Sequence, residues 1–177
     1  MNVVGVPTVN IEDEMLNEKL DKIIEANDMT AIINQEQMPL TLVEGWGAFK
    51  INFDRELSSH PLIQYYDAEN VDFVYKSGIL IGIIYKDYYQ VKNRNYVLLE
   101  TRRISKGNSL IEYDLFRYGK NNEIYQVECD EVPELAGLKD KNIIIPNFNK
   151  ILGVASKFFF DPLAKEKGKS IYSGKID

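Results

Sequence analysis

The period-two run over residues 45–103 constrains this chain more than any other feature. It reads GWGAFKINFDRELSSHPLIQYYDAENVDFVYKSGILIGIIYKDYYQVKNRNYVLLETRR. Tyr, Phe and β-branched residues crowd it and short polar turns interrupt it, which is the composition of a twisted antiparallel sheet. Phe49, Ile51 and Phe53 alternate with Ala48, Lys50 and Asn52, and that pattern predicts a half-buried strand. Gly45 and Gly47 on either side of Trp46 predict a change of direction where little side-chain volume is tolerated. Further strands are expected at 62–66 and, as a hairpin about Ser77 and Gly78, at 71–76 and 79–89. After the turn at 92–95 come 96–104, 109–118 and 124–128. Strands at this spacing predict one β-meander over 45–130.

Ahead of the sheet, residues 3–9 read as an extended entry. Asn10 is placed to cap a helix over 11–26, in which Ile11, Leu16, Leu20 and Ile24 form an apolar side. A second helical segment is expected over 29–37, stopping before Pro39. Beyond Pro133 the pattern loosens, with short edge strands or connectors at 143–145 and 154–160. The chain therefore reads as α+β in three parts: helices over 1–44, the meander over 45–130, and an extended segment over 131–177. The polar ending KEKGKSIYSGKID predicts that the chain is part of a longer protein.

With 177 residues, 45% hydrophobic and 27% charged, the chain can bury one ordinary core. It has no apolar run near the roughly 18 to 20 residues that span a bilayer, and its first residues lack the charge and apolar core of a signal peptide. A soluble protein made in a reducing cytoplasm is the expectation. The net charge of −6 and pI of about 5.0 repel phosphate overall. The basic groups Lys92, Arg94, Arg102, Arg103 and Lys106, and Lys165, Lys167 and Lys169, are expected as solvated charges at turns or chain ends.

Candidate chemistry is thin. Cys129 is the sole cysteine, and Glu128, Asp130 and Glu131 beside it would raise a thiol pKa, so it reads as a packing residue. His60 is the sole histidine and precedes Pro61 in a turn, a poor mount for a general base and expected to be exposed. Asp67, Glu69 and Asp72 could pair as acid and base or bind a divalent cation; beside Asn70 and ahead of a hairpin they read as turn formers. The series Tyr65, Tyr66, Tyr75, Tyr85, Tyr88, Tyr89 and Tyr96 could stack nucleobases, but cross-strand packing accounts for the same residues. No catalytic, cofactor-binding or metal-binding residue is assigned, and no cofactor is expected.

With those segments in view, the chain resembles the portal proteins of tailed bacteriophages of Gram-positive hosts, the SPP1-like group. GWGAFKINFD at 45–54, YYDAENVDFVYKSG at 65–78 and KDYY at 86–89 carry the resemblance, with DPLAKEKGKSIYSGKID near the end. Trp46 stands where that group has a small or charged residue. The resemblance implies a virion protein, present in the host cytoplasm during assembly, that forms a ring, usually twelve-fold, at one capsid vertex. DNA is packaged and ejected through such a ring without sequence-specific binding. The terminase motor, capsid and head-completion proteins dock on other parts of the chain, and this segment would be the wing. Two other classes stay open. One is a small α+β hydrolase or isomerase whose meander curls round a pocket lined by Tyr and the acids at 67, 69 and 72. The other is a non-enzymatic adaptor that binds peptides along a strand edge.

Overall fold

Asp13 starts the first helix. In the computed structural model, which describes residues 12–138, 141–158, 168 and 170, α1 spans Glu14–Ala26. The Asp13 carboxylate accepts from the N–H groups of Met15 and Leu16 at 2.9 and 3.1 Å, meeting donors that have no partner within the helix. The helix thus begins later than the position 11 expected, because Asp13 offers a carboxylate at capping distance. Asn10 and Ile11 lie outside the described residues, as do residues 3–9, Phe159, Phe160, Lys165, Lys167 and Lys169.

Asn27 ends α1 and ties it down. Its amide donates to the carbonyls of Ile23 and Pro61, each at 2.8 Å, and accepts from the N–H of Ile63 at 2.7 Å. The next helical stretch does not stop before Pro39. It runs through α2 (Met29–Ala31), a π-helical segment (Ile32–Gln37) and α3 (Met38–Glu44). Pro39 sits in the first turn of α3, directly after the π-helical segment. The wider turn just before it, in which Met38 N–H reaches Ile33 C=O, gives the pyrrolidine ring room.

The two glycines expected to tolerate little volume do different jobs. Gly45 ends α3 at φ 96°, its N–H on Thr41 C=O at 2.8 Å, in the left-handed region that excludes most side chains. Gly47 opens β1 (Trp46–Asn52), and a Cβ there would lie 2.0 Å from the Tyr65 hydroxyl oxygen.

β1 pairs antiparallel with β2 (Leu62–Asp67), from Gly47 opposite Asp67 to Asn52 opposite Leu62. The strand is not simply half-buried. Ala48 and Lys50 are as buried as any core residue, while Phe53 is 68% exposed. Pairing stops at Asn52, so Phe53 enters a connector turned by Asp54, whose carbonyl accepts from Ser58 N–H at 2.9 Å. Lys50 keeps its charge satisfied by Tyr66, with Nζ 3.2 Å from the hydroxyl and 5.1 Å from the ring centre.

The single meander divides into two sheets. The chain forms one compact unit from residues 1–68 with 154–177, and a second from residues 69–153. In the first unit, β1 lies between β2 and a strand that returns late in the chain. The second unit holds β3 (Val71–Lys76), β4 (Ile79–Val91), β5 (Arg94–Ser105), β6 (Asn108–Tyr118) and β7 (Ile124–Val127), hydrogen-bonded in that order. β8 (Ile143–Ile145) pairs with the Ser109–Ile111 portion of β6, and β9 (Gly153–Lys157) is the strand that joins β1. Division falls after β2 because no tight turn joins β2 to β3. The Asn70 carbonyl instead accepts from Lys86 N–H at 3.0 Å, so the chain enters β3 already paired with β4.

Three two-residue loops build the larger sheet. Ser77 and Gly78 (φ 51° and 78°), Lys92 and Asn93 (47° and 62°), and Lys106 and Gly107 (50° and 79°) are all left-handed, the geometry whose twist matches a hairpin. One face carries the core: Tyr96, Leu98 and Leu115 pack with Cys129 and Leu135 from the 3-10 turns Cys129–Glu131 and Pro133–Leu138 and with Val132 between them. The architecture is α+β, N-terminal helices followed by antiparallel sheet. Among the described residues no helix is long and apolar enough to cross a membrane.

Candidate functional site

Of the acids expected as turn formers, Asp67 ends β2 in the first unit, whereas Glu69 and Asp72 belong to the second, Asp72 within β3. Lys86 Nζ lies 2.6 Å from the Asp72 carboxylate and 3.4 Å from the Glu69 carbonyl, so this part of the cluster is a cross-strand ion pair with a backbone contact. Among the described residues no three His, Cys, Asp or Glu side chains are grouped to hold a metal ion. Cys129 is buried in the core, at 7% exposure. His60 is half-buried rather than exposed, its N–H held by Ser58 Oγ at 3.0 Å.

Arg102, read as a solvated charge, is in fact 3% exposed. The period-two frame explains it: Tyr96, Leu98, Glu100 and Arg102 share the inner face of β5. Arg102 Nε meets Glu100 at 2.5 Å and its Nη1 donates to the Leu152 carbonyl at 2.8 Å. Its guanidinium lies 5.7 Å from the Tyr85 ring centre. Burial pushes the Tyr85 hydroxyl well above the ordinary phenol range. A buried charge held by a partner, a carbonyl and a ring is a satisfied core element. Arg103, one residue on, faces the other way and chelates Glu112 at 2.5 and 3.1 Å. That hydrogen bonding holds the Glu112 carboxyl below its usual range.

The tyrosines do not form one stacking platform. Tyr65 donates to or accepts from Thr41 Oγ1 at 2.7 Å in the first unit, and Tyr85 is wholly buried in the second. Tyr88, Tyr89 and Tyr96 do converge, at a place set by register. Tyr96 opposite Arg117 is the last pair between β5 and β6. Beyond it, Asn95 and Arg94 pair only with β4, while Tyr118 pairs with β7. The two hairpins part there and leave a notch of about 840 Å³.

The notch is aromatic and basic. Tyr88 and Tyr118 offer exposed rings, 58% and 37% accessible, and Arg94, Arg117 and Lys120 line it with Asn93 and Asn95. Glu131, just beside it, is already engaged: Arg117 Nη1 lies 3.0 Å and the Tyr96 hydroxyl 3.1 Å from its Oε2. Arg94, Lys120 and neighbouring Lys92 have no carboxylate partner among the described residues. Burial raises the Tyr89 hydroxyl pKa, with the charges of Asp87, Glu134 and Glu100 adding to it. Residues 88–96 and 117–122 contain no acid at all. The sequence marked Arg94 as a turn charge and the tyrosines as packing; Arg117, Tyr118 and Lys120 carried no signal, because only the register brings them together.

A second concavity, of about 750 Å³, is lined by Asp114, Glu128, Cys129, Glu131 and Lys141 among others. Neither hollow is lined by Asp67, Glu69 or Asp72. Donors without acceptors beside exposed rings suit non-covalent recognition of an anionic, partly apolar surface. No protein-family model matches the chain, and no curated protein matches it.

Proposed function

We propose that the chain is a structural virion segment, the wing of a tailed-phage portal protein, and that it acts through assembly rather than catalysis. The observation that carries this reading is α1. None of its residues is buried, and Met15 and Leu16 stand 61% and 46% exposed. Leu20, Ile23 and Ile24 are half-buried, and in this reading the open apolar pair at the helix start meets further protein. Three segments of the resemblance also fall in order on successive elements, while the fourth, DPLAKEKGKSIYSGKID, lies largely outside the described residues. GWGAFKINFD covers β1, YYDAENVDFVYKSG runs from β2 through β3 into its turn, and KDYY lies in β4.

Glu18 and Glu112 are held below the usual carboxylate range by hydrogen bonds from Lys22 and Arg103, so neither of these two suits a general acid, which needs its pKa raised. In this reading the partners are further copies of the protein in a ring, with the terminase motor, capsid and head-completion proteins on other parts of the chain. DNA would slide through an acidic ring without sequence readout.

Light scattering on this chain and on the intact portal protein tests the proposal. Stable contacts bury more than about 1,000 Å² and must offset an association cost of roughly 4 to 15 kcal/mol. The wing alone is therefore expected as a monomer or weak oligomer, and the intact protein as a closed ring. An intact protein that stays monomeric under all packaging-like salt conditions counts against the portal reading. Rings formed by the wing unaided would place the ring interface within it.

A further inference from the structure

We infer that the notch between the two parted hairpins receives helix α1 of a second copy of this chain. The inference deepens the assembly reading and rests on it. The two surfaces complement each other in charge and in apolarity. Across residues 12–25, Glu12, Asp13, Glu14, Glu18, Asp21 and Glu25 are acidic against Lys19 and Lys22, and all six acids are exposed. Arg94 and Lys120 line the notch without a carboxylate partner among the described residues, whereas Arg117 there is paired with Glu131. In a chain of net charge −6, this local basic surface stands out against the overall charge.

Charge alone would fit any polyanion, including a nucleic-acid strand. The apolar component selects the helix. Met15 and Leu16 need cover, and Glu12 and Glu18 lie within one turn of them. The exposed rings of Tyr88 and Tyr118 beside Arg94 and Lys120 repeat that combination with opposite sign, and Tyr with Arg is the composition of interface anchors. Nucleic acid supplies anions and rings but no aliphatic side. Helix and notch are unlike patches, so the contact can repeat from copy to copy and close into a ring where the rotation allows.

Charge exchange tests the pairing. Sedimentation of the wild-type chain over a dilution series at low salt is expected to show weak self-association that fades as salt rises. Arg94→Glu with Lys120→Glu is expected to weaken it about tenfold or more, with the circular dichroism spectrum unchanged. Adding a second chain that carries Glu12→Lys and Glu18→Lys is expected to restore association in the mixture, though neither variant associates alone. A wild-type chain that is monomeric throughout the series overturns the inference, and so does a mixture that fails to recover. Fluorescence anisotropy with a single-stranded oligonucleotide gives the rival outcome: binding lost in Arg94→Glu with Lys120→Glu, without any charge-exchange recovery, assigns the notch to nucleic acid. Rings in micrographs of the intact protein alongside a failed exchange remove this contact and leave the assembly reading in place.

Discussion

The two units are held together in opposite ways. The second is written locally: β3 to β7 follow one another along the chain through short connections, and its core is a continuous apolar cluster around Leu98, Leu115 and Val132. The first is assembled from distant pieces and pinned by polar side chains. Gln37 Nε2 donates to Ser156 Oγ at 2.7 Å across a separation of 119 residues. Thr41 Oγ1 bonds Tyr65 at 2.7 Å, and Asn27 reaches Pro61 and Ile63. A sheet of hairpins forms from contacts near in sequence, whereas the first unit must wait for β9. The second unit is therefore expected to fold first and exchange its amides last.

The largest effect sharpens that contrast. Leu115→Ala, at a site 1% exposed, should destabilise the second unit by about 2 to 5 kcal/mol. Denaturant melts should report the loss, and hydrogen exchange should locate it in β4 to β6. Gly47→Ala is its counterpart in the first unit. The new Cβ would meet the Tyr65 hydroxyl oxygen at 2.0 Å and its Cζ at 2.5 Å, and overpacking of this kind costs about 1 to 3 kcal/mol. Faster exchange confined to β1 and β2 is the expected signature. Equal loss of protection in both units would break the comparison.

Burial raises the pKa of a tyrosine in each unit, Tyr65 in the first and Tyr85 in the second. The Tyr85 hydroxyl has its pKa raised by burial, so the unfolded chain ionises first. Stability contributed by the neutral buried hydroxyl is full below the ordinary phenol pKa of about 10 and is lost as pH rises toward the folded value. A fall of about 1.4 kcal/mol per pH unit is expected above that point. Tyr85→Phe should flatten the slope, measured by urea melts at stepped pH. The smallest effect is at a turn. Lys106 holds φ 50° ahead of Gly107, and Lys106→Asn, giving the favoured pair for this loop, should add about 0.5 kcal/mol without altering exchange in the first unit.

The same contrast explains what the sequence revealed. The hairpin at 77–78 and the succession of strands after it were legible because turn chemistry and alternation are local, although the turn expected at 92–95 closes on residues 92 and 93 alone. The break between sheets was not, since nothing near residue 68 announces that β1 will be claimed by a strand 100 or so residues later. Helical continuation through Pro39 was hidden because it depends on the π-helical widening before it. Arg102 was misread as a solvated charge, although extending the frame of Tyr96 and Leu98 by four residues places it inside. At the notch, the residue types were visible one by one, but their convergence depends on β5 and β6 parting after Tyr96 and Arg117.

The central claim is that this chain works by being covered. Hydrogen exchange on α1, compared between the isolated chain and the assembled intact protein, tests it most directly. The account predicts rapid exchange over Glu14–Ala26 in the isolated chain, where no residue of the helix is buried, and strong protection of the same amides after assembly. Identical exchange of this helix in the free chain and in the assembly would contradict it.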